Sequence, residues 1–483
     1  MPKIGGMRGY LASSIGLTCS AVLTLSFAVP ATAAGPVVRG PSAAAHMPAA
    51  SPAGPLTGAS IPGDTQSLPL VPLHPRRAAG ALPEAGLAPQ TVRSFSLVGV
   101  VWDDPQTELH GLVQIRTRAS GTTRWSAWQE LETHNHGHGP DPDSAEGASH
   151  RMRGSTAPLW VGNSDGVEVR VRAEADQTGG TRAPTLPDGL RVELVDPGKG
   201  PQAGAPAQTQ AVDGQPSDGG ASAEVSGAGI AASAIDAALA PPNVLAPPNA
   251  AEIPALSKEA TKEAADEQRA EAAGTLPESA QPYIGPRPRI ITRSGWGADE
   301  SLREPGFIYT ASVKVAFVHH SASGNNYTCA QAPSVIRSIY RYHVVSSGWR
   351  DIGYNFLIDK CGNIYEGRAG GVDKPVMGAH TLGFNTNSMG VAVLGTYTST
   401  QPSAAAVNAL AALTAWKVGL YGMDPRAKTY LQSGGGNLYP KGVNAQLNVV
   451  SGHRDGFATE CPGQLLYAKL GSIRTTAARL QGR

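Results

Sequence analysis

The sequence lacks an excess of charge of either sign and is poor in aromatic residues. Its 483 residues carry 39 Lys and Arg against 38 Asp and Glu, a formal net charge of +1. Proteins that bind nucleic acid neutralise phosphates with surplus Lys and Arg, so this balance argues against a nucleic-acid partner. Aromatic residues make up 6% of the chain, while Gly and Pro number 58 and 39. This composition predicts a multidomain chain whose folded units are joined by long disordered linkers.

Long apolar runs are missing beyond the N-terminus. One apolar stretch at about residues 10–29 follows Lys3 and Arg8 and precedes a run of small residues, 31–34. This order is typical of a cleaved secretory signal peptide, here residues 1–34, with an N-terminal membrane anchor as the alternative. We therefore expect a secreted, extracellular protein with no membrane span in its mature form.

Cysteine is scarce, and the small number is informative. Cys19 lies in the predicted signal peptide, which leaves Cys329, Cys361 and Cys461 in the mature chain. Three cysteines cannot all pair with one another. In an oxidising compartment the odd thiol is therefore reactive, forms an intermolecular bond or binds a metal.

The amino-acid composition changes several times along the chain. Residues 35–90 are rich in Ala and Pro and are predicted to form a disordered arm. Residues 91–198 are predicted to form a small β-sandwich-like accessory domain, because short β-rich segments alternate there with turns. These segments are 95–102, 112–118, 125–131, 159–161, 167–171 and 190–195. Residues 199–285 read as an Ala/Pro/Gly-rich linker with one charged, helix-like run at 257–273.

Residues 286–483 have the pattern of a mixed α/β domain. Apolar runs predict strands at 313–319, 351–359, 364–366 and 389–396. Helical periodicity predicts helices at 330–345, 403–421 and 464–480. The expected architecture is a central mixed sheet flanked by helices.

Three residues of this domain are candidate metal ligands: His319 at the end of an apolar strand, His453 in a Gly-flanked loop, and Cys461 before a proline. Two imidazoles and a thiolate suit zinc, and three protein ligands leave the fourth tetrahedral position open, as in catalytic sites. Spacing alone leaves other interpretations open for each residue. These are a hydrogen-bonded structural histidine, a turn and a buried thiol.

Six ordered segments between residues 289 and 483 carry a more specific signal. They read FVHHS (317–321), GWRDIGYNF (348–356), IYEGR (364–368), GAH (378–380), GHRD (452–455) and TECPG (459–463). Together they resemble the peptidoglycan recognition protein family, which shares its fold with phage-lysozyme-type zinc N-acetylmuramoyl-L-alanine amidases. The resemblance implies a Zn²⁺ cofactor and bacterial peptidoglycan as the partner.

The resemblance also implies roles for individual residues. Zinc is expected on His319, His453 and Cys461. Tyr354 is expected as the catalytic partner, and Thr459 as a supporting catalytic-site residue. The residues expected to line the substrate groove are His343, Trp349, Arg368 and His380.

With Cys461 assigned to the metal, Cys329 and Cys361 are expected to form a disulfide. His320 neighbours His319 on a strand and therefore points to the opposite face, so it is read as a packing residue or as a support behind the ligands.

The β domain offers weaker signals. His134, His136 and His138 alternate along the chain, but Gly137, Gly139 and Pro140 interrupt them, and a solvated loop is favoured over a second metal site. Trp125 and Trp128 are expected in the core rather than in a sugar-stacking surface.

The predicted function is that of a secreted, monomeric, cell-wall-associated zinc amidase, which hydrolyses the bond between the MurNAc lactyl group and L-Ala of peptidoglycan. Two alternatives stay open. One is a non-catalytic peptidoglycan-binding protein, which typically loses the cysteine ligand. The other is a surface adhesion module in which the β domain is the working part.

Overall fold

The structure is a computed structural model that describes residues 62–73, 82–133, 135–149, 151–174, 185–200, 250–273 and 283–483. The predicted signal peptide, His134 and most of the predicted arm and linker lie outside these residues. The part of the chain that is described from residue 62 onward belongs to one compact unit, Thr57–Arg483.

Eight strands make up the described part of the β domain. They are β1 Asp64–Pro69, β2 Val71–Pro72, β3 Glu84–Trp102, β4 Gly111–Ala119, β5 Gln129–Leu131, β6 Gly154–Ser155, β7 Leu159–Ala173 and β8 Arg191–Asp196. Their main order is β1-β8-β3-β7-β4-β5, with β2 and β6 paired to β3. All these strands belong to one antiparallel sheet. The predicted β-sandwich would need two packed sheets, so the described residues confirm the all-β character and not the sandwich. Register shifts along β3 and β7 accompany the joining of the predicted segments 159–161 and 167–171 into one strand.

The last part of strand β3, residues 95–102, is buried on both faces, and this explains its mostly apolar sequence. Val98 and Val100 lie in the core of the β domain. Leu97 and Val101, which alternate with them, lie in a cluster shared with the C-terminal domain. The sheet is thus covered on one side by its own loops and strands and on the other by the second domain.

The predicted boundaries of the β domain and of the linker are wrong. Strand β1 lies inside the predicted arm and pairs with β8 from Asp64 opposite Asp196 onward. The proline at position 69 argues against a strand when only the sequence is considered. An edge strand tolerates proline, because one side of it has no strand to pair with. At the other boundary, part of the predicted linker folds onto the C-terminal domain, since Thr261 and Ala265 of its helix are buried.

The C-terminal domain contains a seven-stranded sheet in its described residues. Its strands are β9 Glu252–Ile253, β10 Ile290–Ile291, β11 Val315–His320, β12 Phe356–Ile358, β13 Ile364–Glu366, β14 Ser388–Val393 and β17 Val450–Gly452, and β15 Lys428–Gln432 pairs separately with β16 Asn444–Asn448. The helices are α1 Lys258–Ala273, α2 Arg293–Trp296, α3 Ala332–Arg341, α4 Ala404–Gly419, α5 Gln464–Tyr467 and α6 Leu470–Gln481. The prediction of an all-β domain followed by a mixed α/β domain is confirmed.

Local sequence explains where these elements begin and end. Ser403 caps α4, because its side chain accepts a hydrogen bond from the backbone N–H of Ala406. Helix α3 is shorter than predicted, since residues 342–346 continue it as a π-helix. The predicted helix 464–480 is divided into α5 and α6.

Strand β11 places the candidate site. All six of its residues are buried, as expected for a central strand covered on both faces. It runs parallel to β17, with Val318 opposite Gly452. Because the carboxyl ends of parallel neighbours meet at the same edge, His319 and His453 are brought together although 133 positions separate them in the sequence.

The two domains pack through a shared apolar cluster. Trp160 joins Leu97 and Val101 from the β domain, and Ile339 and Tyr342 lie opposite. The Tyr342 hydroxyl lies 3.3 Å from the Val100 carbonyl oxygen. These contacts anchor the sheet independently of its loops.

The core placement predicted for two tryptophans is wrong. Trp125 and Trp128 are partly exposed, and Arg116 lies over both rings at 5.4 and 5.1 Å from their centroids. The arginines on the outer face of the sheet supply this cation–π cover.

Candidate functional site

Four side chains converge at the edge of the sheet where β11 and β17 end. They are His319, His453, Cys461 and, from the β domain, His138. One donor atom of each lies within 4.8 Å of the others. Three of these residues were predicted from the sequence, and the fourth was not.

His138 lies in the segment that joins β5 to β6, residues 132–153, which we call the β5–β6 loop. The prediction that this loop is solvated is wrong, because Gly137, Gly139 and Pro140 are buried against the C-terminal domain. Both ring nitrogens of His138 are buried and have no hydrogen-bond partner among the described residues. Buried ring nitrogens without partners are rare, and a metal position next to the ring accounts for them.

The ring orientations of the other two histidines suit metal binding. The Nδ1 atom of His319 lies 3.7 Å from the Cys461 sulfur, whereas its Nε2 atom lies 3.3 Å from Nδ1 of His380. Nε2 of His453 lies 3.0 Å from the carbonyl oxygen of Gly137 and is placed to donate to it. That leaves Nδ1 of His453 buried and without a partner. Each ring therefore presents one nitrogen to the cluster and is held through the other, as metal-binding histidines usually are.

Burial sets the protonation of the donors. It lowers the pKa of His319 and of His453 well below the usual range, helped by neighbouring imidazoles. Burial, followed by the charge of His320, lowers the pKa of His138 to about 3. All three rings are therefore neutral at neutral pH, which is the form that binds metals. Burial raises the pKa of the Cys461 thiol.

This donor set fits zinc. Three neutral imidazoles and one cysteine sulfur are ligands that zinc takes in tetrahedral sites, and a thiol that coordinates zinc releases its proton to solvent. The unpartnered nitrogens of His138 and His453 are the observation that supports this fit.

Tyr354 and Thr459 lie beside the donors, and both line one small cavity with His138, His343 and Cys461. The Tyr354 ring centroid is 5.5 Å from that of His319. Burial, and then the Cys461 sulfur, raise the pKa of the tyrosine, so its hydroxyl keeps its proton at neutral pH and can donate a hydrogen bond. The Thr459 hydroxyl accepts the backbone N–H of Cys461 at 3.3 Å.

The four residues predicted for the substrate groove are buried in this structure. None of them, His343, Trp349, Arg368 or His380, is more than 5% exposed. His343 stacks on Trp349 with ring centroids 4.2 Å apart. His380 contacts His319, as described above. Their contact with substrate stays a prediction.

Arg368 has a partner from the other domain. Its two terminal nitrogens donate to the Glu146 carboxylate at 2.8 and 3.0 Å. Both side chains are almost fully buried. A paired, buried guanidinium of this kind cannot receive another carboxylate until Glu146 leaves.

Cys329 and Cys361 are not part of the donor cluster. The structure pairs Cys329 with Cys361, whose Cα atoms are 6.1 Å apart. Among the described residues Cys461 is the free thiol, and it is buried. His320 lies on the other face of β11, where its Nδ1 atom is 3.5 Å from the backbone nitrogen of Tyr397.

Sequence reasoning missed the β-domain side of this site. His138, Gly137 and Glu146 all contact it, and each lies more than 180 positions from His319, Arg368 or His453, the residues that they meet. The available signal was the histidine at position 138 within a glycine-rich segment, and it was assigned to solvent.

Comparisons with known proteins match the β domain and the C-terminal domain separately. A family model described as "N-acetylmuramoyl-L-alanine amidase" matches residues 309–464, and one described as "Rv3811 N-terminal galactose-binding domain-like" matches residues 48–193. His319, His453 and Cys461 fall within the first match, and His138 falls within the second.

Curated relatives match the C-terminal part. Peptidoglycan-recognition protein SC2 of Drosophila melanogaster is 32% identical over 181 residues, which are 38% of this chain and 84% of that protein. The N-acetylmuramoyl-L-alanine amidase of Homo sapiens is 30% identical over 200 residues, 41% of this chain and 30% of that protein. A solved structure, Drosophila PGRP-LB, is 28% identical over 38% of this chain and 92% of its own, with a TM-score of 0.31.

Proposed function

Since the chain belongs to the peptidoglycan recognition protein family, we propose that it is a zinc-dependent N-acetylmuramoyl-L-alanine amidase. It would hydrolyse the amide between the lactyl group of N-acetylmuramic acid and L-Ala in bacterial peptidoglycan. A role in peptidoglycan recognition or turnover follows from the family. The hydrolytic activity is the proposal.

The convergence of His319, His453 and Cys461 carries this proposal. Two neutral imidazoles and a thiol lie at one sheet edge, with donor atoms within 4.8 Å of one another. A binding protein needs a groove and has no need of a thiol buried between two imidazoles. The cysteine is therefore the feature that favours an enzyme over a recognition protein that only binds.

Protein groups supply the rest of the chemistry. A zinc ion held by these donors supplies a Lewis acid that activates water and polarises a carbonyl group. Tyr354 keeps its proton and offers a hydroxyl donor where negative charge develops on the scissile carbonyl oxygen. Thr459 holds the backbone at Cys461, and His380 orients His319. Each of these groups is positioned before the substrate arrives.

The proposed enzyme works outside the cytoplasm as a monomer. The Cys329–Cys361 disulfide supports this location, because such bonds persist in oxidising compartments. Among the described residues, no helix has the length and the apolar character needed to cross a membrane.

Product analysis tests the proposal. The zinc-loaded full chain is incubated with purified peptidoglycan, and the soluble products are identified by mass spectrometry. We expect free stem peptides that begin with L-Ala, together with uncut glycan strands. Cleavage within the glycan, or between two amino acids of the stem, would contradict the amidase assignment.

A further inference from the structure

We propose that His138 is a fourth protein donor to the metal site, so that the β5–β6 loop closes the catalytic centre and the described conformation is autoinhibited. This inference rests on the proposed amidase function. It assigns the β domain a regulatory role and adds a residue that lies outside the matched amidase region.

The position of the His138 ring is the first argument. Its centroid lies 4.3 Å from that of His453 and 5.2 Å from that of His319. Its two nitrogens are buried and unpartnered, in a ring that its surroundings keep neutral. No hydrogen bond among the described residues explains why this imidazole is buried there, whereas coordination to a metal shared with His319 and His453 does.

Coordination number gives the consequence. A catalytic zinc site keeps one of its four positions for water or substrate, and a structural site fills all four with protein ligands. His319, His453 and Cys461 together make a site of the first kind. Adding His138 turns it into a site of the second kind, and hydrolysis then requires that His138 leave.

Backbone contacts hold the loop at the donors. The Gly137 carbonyl oxygen is 2.9 Å from the backbone nitrogen of Leu382, and it also lies opposite Nε2 of His453. A Cβ atom at position 137 would come within 2.5 Å of Phe457, so only glycine permits this approach. The Asp141 carboxylate accepts the backbone N–H of Gly383 at 2.7 Å.

The loop also covers the predicted groove. Glu146 presents a carboxylate to Arg368 through two hydrogen bonds, as an anionic group of a substrate would. Trp349 lies under Gly139, within 3.8 Å of where a Cβ atom there would stand. The loop thus fills the fourth coordination position of the metal and pairs with the guanidinium of the groove at the same time.

The loop can leave while the domains stay together. Its contacts with the C-terminal domain are mainly hydrogen bonds and three ion pairs, Glu146–Arg368, Asp143–Lys441 and Arg151–Glu304, which water and substrate can replace. The strands of the β domain are held elsewhere, by the apolar cluster of Leu97, Val101 and Trp160 with α3. Opening therefore breaks the polar contacts of the loop and keeps the apolar contacts of the sheet.

Three full-length variants test this proposal. His138→Ala removes the fourth donor, and His136→Ala is the matched control, since His136 lies on the same loop outside the donor cluster. Glu146→Gln keeps His138 and weakens the anchor at Arg368. Circular dichroism and gel filtration first establish that each variant is folded.

The first readout is access to the metal. Each protein is loaded with cobalt(II), and acetohydroxamate is added while the visible spectrum is recorded. We expect a saturable spectral change with His138→Ala, a weaker one with Glu146→Gln, and little change with the wild type or His136→Ala. Equal responses from all four proteins would overturn the proposal.

The second readout compares zinc affinity with hydrolysis. His138→Ala should bind zinc at least about tenfold more weakly, because it loses a donor. It should nevertheless release stem peptide about tenfold faster than the wild type at saturating zinc, because the competent state is no longer a minor one. A parallel fall in both would show that His138 assists the reaction, and unchanged values would show that it only packs. Either result would contradict closure.

Failure of the amidase function itself is distinguishable. If no variant releases stem peptide but acetohydroxamate still reaches cobalt in His138→Ala and not in the wild type, closure stands and the proposed reaction falls. If stem peptide is released at equal rates by the wild type and His138→Ala, the reaction stands and closure falls.

Discussion

The proposed metal centre is built from two regions that differ in how they reach it. His319 and His453 come from the ends of adjacent parallel strands, where the backbone pairing of the sheet fixes their positions. His138 comes from a loop that is held to the C-terminal domain mainly by hydrogen bonds and three ion pairs. The strand-borne donors are therefore permanent, and the loop-borne donor is removable. Changes in the first region should abolish chemistry, and changes in the second should alter access to it.

The largest effect is expected from Cys461→Ser. A neutral serine hydroxyl is a poor zinc ligand compared with a thiolate, so the donors of the C-terminal domain lose their anionic member. We expect stem-peptide release to fall at least about a thousandfold, as it does when a component of a catalytic unit is removed. Zinc content and product release are measured together on the purified variant.

The control for Cys461→Ser is the chain that lacks the other two mature cysteines, Cys329 and Cys361. That chain should keep both its zinc and its activity. Full activity of Cys461→Ser with one equivalent of zinc would mean that the sulfur is not a ligand.

Tyr354→Phe should separate catalysis from metal binding. The substitution removes one hydroxyl and keeps the ring, so the stabilisation of the developing oxyanion is lost while the four donors are unchanged. We expect kcat to fall about 10²- to 10³-fold with zinc affinity unaltered. Tyr430→Phe is the control, because Tyr430 is exposed on β15. Equal loss of zinc and of activity would place Tyr354 in a structural role.

Removal of the disulfide should affect neither region of the site. Replacing Cys329 and Cys361 with Ala should lower the free energy of unfolding by about 2–4 kcal/mol, since the unfolded chain is no longer constrained. Urea titration followed by tryptophan fluorescence measures this loss. Activity per folded molecule should stay at the wild-type value. A loss of activity larger than the unfolded fraction would link the disulfide to the site.

The two regions also differ in how far they could be predicted from the sequence. The donors of the C-terminal domain could be predicted because ordered motifs surround each of them. An apolar run such as 313–319 also predicts a buried strand and the position at which it ends. No such motif or strand pattern surrounds His138. A Gly- and Pro-rich segment adopts no periodic structure, so its sequence does not show whether solvent or another domain covers it.

The domain boundaries were misjudged for a related reason. Strand β1 and helix α1 are stabilised by tertiary pairing with β8 and with the C-terminal domain, and neither has a strong local apolar pattern. Composition therefore places β1 in the predicted arm and α1 in the predicted linker, although the charged run at 257–273 is itself predicted to be helix-like. The confirmed predictions, the family and the order of an all-β and a mixed domain, are those that local patterns and motifs determine.

X-ray absorption at the zinc edge of the full-length, zinc-loaded chain tests the central claim most directly. It counts the imidazole and sulfur ligands of the metal in solution. The two-region site predicts one sulfur and three imidazoles in the wild type, and one sulfur, two imidazoles and one oxygen in His138→Ala. A wild-type spectrum with no sulfur would contradict the zinc site, and one with only two imidazoles would contradict its closure by the β domain.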